Sequence, residues 1–219
     1  MPTDPYAHAP RLPEGQIDPR TLFMQRASSV PAFVKKQPPE VPDPGAPVEL
    51  EIGPGRGWFT SERIDADPEV RVIGLEVRRK WATLVDERLQ KRGYAHRGRV
   101  FAEDVKLALP RFADASLSKA YLHFPDPWWK KRHEKRLVLT PEVLAELARA
   151  LVPGGELLIQ TDVFERADQY EALVACNASF AAWETSVRVD DHPHGARSPR
   201  ERQAMADGLP IVRLRYRRI

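Results

Sequence analysis

The stretch "VELEIGPGRGWF", residues 48–59, alternates apolar and acidic side chains over five residues, then passes three glycines into an aromatic pair. Alternation suits a strand, and Gly53, Gly55 and Gly57 after it would let a ligand approach both the backbone and the N-terminus of a following helix. A nucleotide-type cofactor is implied. The spacing is G-x-G-x-G, one residue tighter than the dinucleotide fingerprint, and an acid, Glu51, precedes it inside the strand. A carboxylate there attracts an ammonium and repels a pyrophosphate. That disfavours a dehydrogenase and suits S-adenosylmethionine, whose amino-acid portion is cationic.

Outward from this loop, short apolar runs alternate with helical patterns, the signal of βαβ units and a mostly parallel sheet. "RVIGLE" (71–76) reads as the second strand. A helix carrying Trp81, Leu84, Val85 and Leu89 follows, then "RVFAED" (99–104) and "KAYLHF" (119–124) as third and fourth strands. "TPEVLAELARAL" (140–151) reads as a helix with Thr140 as N-cap and Pro141 at its first position, stopping at "VPGGE". "ELLIQT" (156–161) is the fifth strand. Asp162 could cap a helix running through Cys176, and "AAWETSVRV" (181–189) and "PIVRLRYRR" (210–218) read as late strands that could pair antiparallel.

The chain of 219 residues suits one domain with an extension. Eleven of its 21 prolines fall in residues 1–47, too many for a long helix or a central strand, so residues 1–46 read as an arm and 47–219 as the domain. Phe23, Met24, Arg26, Lys35 and Lys36 could let the arm clamp RNA, or it could order only on binding. With 34 Lys and Arg against 31 Asp and Glu, net charge says little and distribution must decide. The lone cysteine, Cys176, can form no internal disulfide, which fits a reducing cytosol. Neither a secretory leader nor an apolar run of about 18 residues is visible. A cytoplasmic protein, not bound to membrane and a monomer or weak homodimer, is expected.

Three acids close successive strands at the edge where open α/β sheets bind ligands. Glu51 faces the cofactor's ammonium in this reading, Glu76 its ribose hydroxyls, and Asp104 its adenine amino group. After the fourth strand comes "HFPDPWWKKRHEKR" (123–136), in which Pro125 and Pro127 fix the backbone around Asp126, next to the expected methyl group. Of Trp128 and Trp129, one is expected in the core and one near the substrate. Lys130, Lys131, Arg132, Lys135 and Arg136, opposed only by Glu134, form the densest basic run and could grip phosphates. "RLRYRRI" (213–219) adds four arginines on an expected edge strand, either for RNA or as edge protection. In "DDHPHGAR" (190–197), His192 and His194 lack further ligands nearby, so no metal is expected and the segment reads as a surface loop.

"VELEIGPGRG", "GLEV", "HFPDPWWKKRHEKR", "LIQTD" and the late "SPRE" and "GLPI" occur in the order seen in the bacterial tRNA (guanine-N7)-methyltransferases, the TrmB family, which the chain resembles over roughly residues 47–217. The resemblance implies a Rossmann-like class I methyltransferase. Its α/β fold is a mostly parallel seven-stranded sheet with helices on both faces and an antiparallel late strand. It implies S-adenosylmethionine as methyl donor and a guanine of the tRNA variable loop as acceptor. Matching positions make Glu51, Gly53, Gly55, Glu76, Asp104 and Asp126 cofactor contacts. Lys130, Asp162, Ser198 and Glu201 become substrate contacts, and Arg132, His133, Glu134, Lys135, Arg136 and Leu137 a segment touching RNA. Arg200 stands where the family usually has an aromatic residue, Pro199 where it has Lys, and Trp129 where Pro or His is usual.

Guanine N7 has a free lone pair and no proton, so attack on a sulfonium methyl needs no general base; position and charge suffice. Asp126 is expected as the catalytic residue, orienting the guanine through its amino edge and stabilising the charge that develops on the ring. Asp162 and Glu201 would hold the remaining donors. The competing readings are an amino-group methylase, which usually places two adjacent prolines before its aromatic residue, and a noncatalytic RNA-binding protein that keeps the cofactor as a structural ligand.

Overall fold

A computed structural model describes residue 16, residues 47–125 and residues 137–219. The first strand, β1 (Val48–Ile52), pairs in parallel with β2 (Arg71–Leu75) on one side and β4 (Leu117–His123) on the other. Beyond β2 lies β3 (Gly98–Phe101), and beyond β4 lies β5 (Leu151–Thr161), both parallel to their neighbours. β7 (Val212–Arg218) then inserts antiparallel between β5 and β6 (Phe180–Ala182), giving a seven-stranded sheet of order β3-β2-β1-β4-β5-β7-β6. The connections are α1 (Trp58–Ala66), α2 (Arg79–Lys91), α3 (Val105–Ala108), α4 (Pro141–Ala150), α5 (Phe164–Ala175) and α6 (Pro199–Ala206). The mostly parallel sheet and the antiparallel late strand agree with the sequence reading. No described helix is long and apolar enough to cross a membrane.

The alternation in β1 has a structural consequence on both faces of the sheet. Val48, Leu50 and Ile52 join Ala120, Leu122, Leu157, Ile159, Leu214 and Tyr216 on one face. The same cluster takes in Val105 and Ala108 of α3, Leu144 and Leu147 of α4, and Tyr170 and Val174 of α5. On the opposite face, β2 and β3 pack Val72 and Val100 against Ile64 of α1 and Ala82, Val85 and Leu89 of α2. Helices therefore cover both faces. From β1 to β7, however, the second face is polar, with rows Glu49–Lys119–Glu156–Arg217 and Glu51–Tyr121–Leu158–Arg215 running across the strands in register. Central parallel strands usually read as continuous apolar runs. Here the buried charges are paired instead: Arg63 of α1 and Tyr121 donate to Glu49, and Lys119 forms an ion pair with it.

Local chemistry accounts for the helix starts. Thr140 caps α4 by accepting from Val143 N, with Pro141 in the first turn, as its sequence predicts. α4 passes directly into β5, where Leu117 and Lys119 of β4 face Leu151 and Glu156, so "VPGGE" forms a bulge within the strand instead of a loop before it. Asp162 does not cap α5. The Thr161 hydroxyl accepts Val163 N–H, Val163 holds the cap position, and the helix ends at Ala175 with Cys176 exposed beyond it. β3 likewise stops at Phe101, and Asp104 caps α3 by accepting from Lys106 N.

Two further expectations change. β7 is not an edge strand, and Arg213 and Arg215 point into the polar face, so neither is an RNA cation or an edge guard. The Arg213 guanidinium lies 2.8 Å from Glu201, while Arg215 pairs with Glu156 at 3.0 Å and stacks over Trp183. Burial would raise the Glu156 carboxyl, but its bonds to His194 and Arg215 more than offset that and hold it below the usual range. The "DDHPHGAR" segment is a loop with Asp190, Asp191, Pro193 and Gly195 exposed, as expected, but it is anchored inward: His192 is buried, and Ala196 packs with Phe59, Tyr121 and Leu158.

Candidate cofactor and substrate site

The glycine loop leaves β1 with Gly53, Gly55 and Gly57 all at positive φ, a region that Cβ-bearing residues enter at a cost. Gly57 is the N-cap of α1, and a Cβ there would meet Val85 Cγ1 at 2.2 Å. At Gly53 a Cβ would meet nothing within 4 Å among the described residues, so bare backbone borders open space beside the carboxyl end of β1. That is the cradle a nucleotide-type ligand needs.

Two of the expected acids are fixed around this cradle. Glu51 is buried, with Thr60 Oγ1 donating to Oε2 and His123 Nδ1 standing 3.5 Å from Oε1. Glu76 follows β2 and accepts Gly55 N–H at 3.0 Å and Arg78 N–H and Nε–H at 2.9 Å each. Burial would raise the Glu76 carboxyl, yet the Arg78 guanidinium and the two backbone donors hold it below its ordinary value. Asp104 lies at the same edge, beyond the neighbouring strand β3, and part of its carboxylate is spent on the α3 cap. The anionic edge and open glycine backbone fit a cofactor with a cationic amino-acid group and a ribose.

On the other side of β4 the expected substrate residues meet at the ends of β5 and α6. Asp162 forms an ion pair with the half-exposed Arg200. Ser198 caps α6, accepting Glu201 N–H at 3.1 Å. Glu201 is fully buried, and its Oε1 gathers Arg213, Arg197 and Gln160. Among the described residues its Oε2 has no hydrogen-bond partner, nor has Gln160 Oε1. Leu137 is half-buried just before Leu139, which joins the core. Asp126, Trp128, Trp129, Lys130, Lys131, Arg132, His133, Glu134, Lys135 and Arg136 lie outside the described residues.

The sequence reading assigns no role to Arg78, His123 and Gln160, and it places His192 in a surface loop and Arg213 on an edge strand. A signal for some of them was present. Lys119, Tyr121 and His123, then Glu156 and Gln160, then Arg213 and Arg215, recur at every second strand position, the mark of a polar sheet face. The α6 helix was also passed over, although Ser198-Pro199-Arg200-Glu201 is a helix-start pattern of the S-x-x-E type. Among the described residues no group of three or more His, Cys, Asp or Glu side chains is arranged to hold a metal.

The strand order, the single antiparallel insertion and the glycine cradle define a class I methyltransferase fold. Solved structures of that fold include the 16S rRNA methyltransferase KamB, at TM-score 0.59 and 15% identity over 78% of this chain and 87% of that one. Geranyl diphosphate methyltransferase in complex with SAM aligns at TM-score 0.55 and 16% identity, over 80% and 79% respectively. A family model described as "Putative methyltransferase" matches residues 45–214. A tRNA (guanine-N(7)-)-methyltransferase of Myxococcus xanthus is 37% identical over 170 residues, covering 77% of this chain and 82% of that protein. One of the same name from Synechococcus sp. WH7803 is 34% identical over 212 residues, covering 92% and 86%. The chain belongs to the tRNA (guanine-N7)-methyltransferase family.

Proposed function

We propose that the protein methylates N7 of a guanine in the variable loop of tRNA. The observation that carries this reading is the carboxyl edge of the sheet, where Glu51 and Glu76 flank an open glycine backbone in a chain whose relatives carry that activity in their names. S-adenosylmethionine bound there supplies an electrophilic methyl group. Glu51 would hold its ammonium, Glu76 its ribose, and Asp104 its adenine.

The rest of the chemistry falls to residues that position the base. Guanine N7 carries no proton, so the site needs acceptors for the guanine amino edge and negative charge near the ring. Asp126 is assigned the edge nearest the methyl group. Asp162 and Glu201 are assigned the remaining donors, and the Oε2 of Glu201, without a partner among the described residues, supports this, because a buried carboxylate oxygen calls for a donor. Lys130 and the basic segment from Arg132 to Leu137 would hold the tRNA backbone while the base is turned out. With a tRNA substrate, the place of action is the cytoplasm.

The test is incubation with labelled S-adenosylmethionine and unmodified tRNA, followed by digestion and identification of the labelled nucleoside. Recovery of 7-methylguanosine is expected. Label in an amino-methylated nucleoside would replace the reading with an amino-group methylase. Absence of label despite binding of both ligands would replace it with a noncatalytic binder. Asp126→Asn is expected to lose methyl transfer while keeping tRNA binding.

A further inference from the structure

Among the described residues, His123 at the end of β4 and His192 in the covering segment meet at the cofactor edge, and their contacts point to one proton arrangement. His194 N–H points to His192 Nδ1 at 3.3 Å, so that nitrogen is an acceptor. Burial, together with His123, His194 and the nearby Arg213 and Arg197, lowers the His192 pKa to about 2, so the ring is neutral and its proton sits on Nε2. His192 Nε2 lies 3.3 Å from His123 Nε2 and donates to it. With His123 Nε2 as the acceptor, Nδ1 is the ring nitrogen left to carry a proton, and it stands 3.5 Å from Glu51 Oε1. This distance is an ion-pair approach and not a formed hydrogen bond, and among the described residues the buried His123 Nδ1 has no other partner. Phe59, with its ring centroid 4.2 Å from that of His123, walls the imidazole in.

We propose that His123 and His192 form a positioning pair for Glu51, aiming the His123 Nδ1–H at Glu51 Oε1 while Thr60 holds Oε2, so that the carboxylate is presented to the ammonium of the cofactor's amino-acid portion. The proposal rests on the reading of Glu51 as the ammonium site. Neither histidine touches the reacting atoms; both act through Glu51. A carboxylate with the Thr60 hydroxyl on one oxygen and an imidazole edge facing the other has its orientation restricted, and a further donor, the ligand's ammonium, then meets a placed acceptor. The pair also ties the cofactor edge to the segment leading into α6, because His192 stands five residues before Arg197, which itself binds Glu201.

The test uses the full chain and two ligands that share a nucleoside, S-adenosylhomocysteine, which has the amino-acid ammonium, and 5′-methylthioadenosine, which lacks it. Dissociation constants are measured by calorimetry. His123→Phe keeps the ring packing and removes the donor; it is expected to weaken S-adenosylhomocysteine up to about tenfold and to leave 5′-methylthioadenosine unchanged. His123→Asn places an amide where Nδ1 stood and is expected to restore the affinity. Equal weakening of both ligands would make the ring merely structural and overturn the proposal, as would no change in either. If His123→Phe does not fold, His123→Gln, whose amide reaches only the Nε2 position, takes its place beside His123→Asn, and equal S-adenosylhomocysteine affinity of those two overturns the pair. Wild-type protein that bound neither ligand would overturn the methyltransferase reading and the pair with it. Wild-type binding with unaffected variants overturns the pair alone.

Discussion

Arg213 of β7 and Glu201 of α6 form a buried ion pair, Nη2 to Oε1 at 2.8 Å, at the place where the last strand meets the candidate substrate edge. Both side chains are almost wholly removed from water, at 7% and 0% exposure. Arg213→Leu would remove one charged donor and leave the buried Glu201 carboxylate with Arg197 and Gln160 as its remaining partners. It is expected to destabilise the fold by about 1.5–3 kcal/mol in denaturant unfolding, the worth of hydrogen bonding to a charged group. Arg217, on the same strand but exposed, serves as the comparison, and Arg217→Leu is expected to shift stability by no more than about 0.5 kcal/mol. Similar losses for the two would show that the Glu201 contact contributes nothing particular.

His192 makes stability depend on pH in a defined direction. Its folded pKa of about 2 lies far below that of a solvated histidine, near 6.5, because burial and neighbouring cationic groups oppose the charged ring. Below pH ~6.5 the unfolded chain binds a proton here that the folded chain does not, so stability is greatest above ~6.5 and falls as the pH drops. One such group gives a slope approaching about 1.4 kcal/mol per pH unit. Unfolding curves of wild type and His192→Leu between pH 6.5 and 5 should thus converge as the medium is acidified. Parallel curves would mean that His192 is protonated in the folded protein.

How much of this was legible in the sequence follows from the range of each interaction. The strands β1, β2 and β4, the glycine loop and the Thr140–Pro141 start of α4 are local patterns, and each is found at its expected place. Glu51 and Glu76 stand at the expected edge because a strand's end fixes where its last side chain goes. What could not be read was partnership across the sequence. Arg213 looks like a cation on an exposed strand until β7 is placed inside the sheet, against Glu201 and β5. His192 looks like part of a polar loop until the fold brings it to His123, 69 positions away in sequence. Asp162 was misread for a nearer reason. The helix starts one residue later than Asp162, with Val163 as its cap residue and the Val163 N–H taken by the Thr161 hydroxyl, while Arg200 takes the aspartate carboxylate.

The glycine loop allows its two tasks, folding and binding, to be separated by two like substitutions. Gly57 and Gly53 have nearly equal positive φ, 66° and 72°, so an alanine at either bears a similar backbone strain of about 1–2 kcal/mol. Their surroundings differ. At Gly57 the new methyl would meet Val85 Cγ1 at 2.2 Å, in the contact between α1 and α2, which adds overpacking of about 1–3 kcal/mol. At Gly53 it would enter open space on the side where the cofactor is placed. Gly57→Ala is accordingly expected to lower the unfolding midpoint substantially more than Gly53→Ala. Gly53→Ala, still folded, is expected to lose affinity for S-adenosylhomocysteine by an order of magnitude or more in a calorimetric titration, because its methyl occupies volume the ligand needs. Unchanged affinity in folded Gly53→Ala would place the cofactor away from this loop, and with it Glu51 and Glu76 would lose their assigned roles.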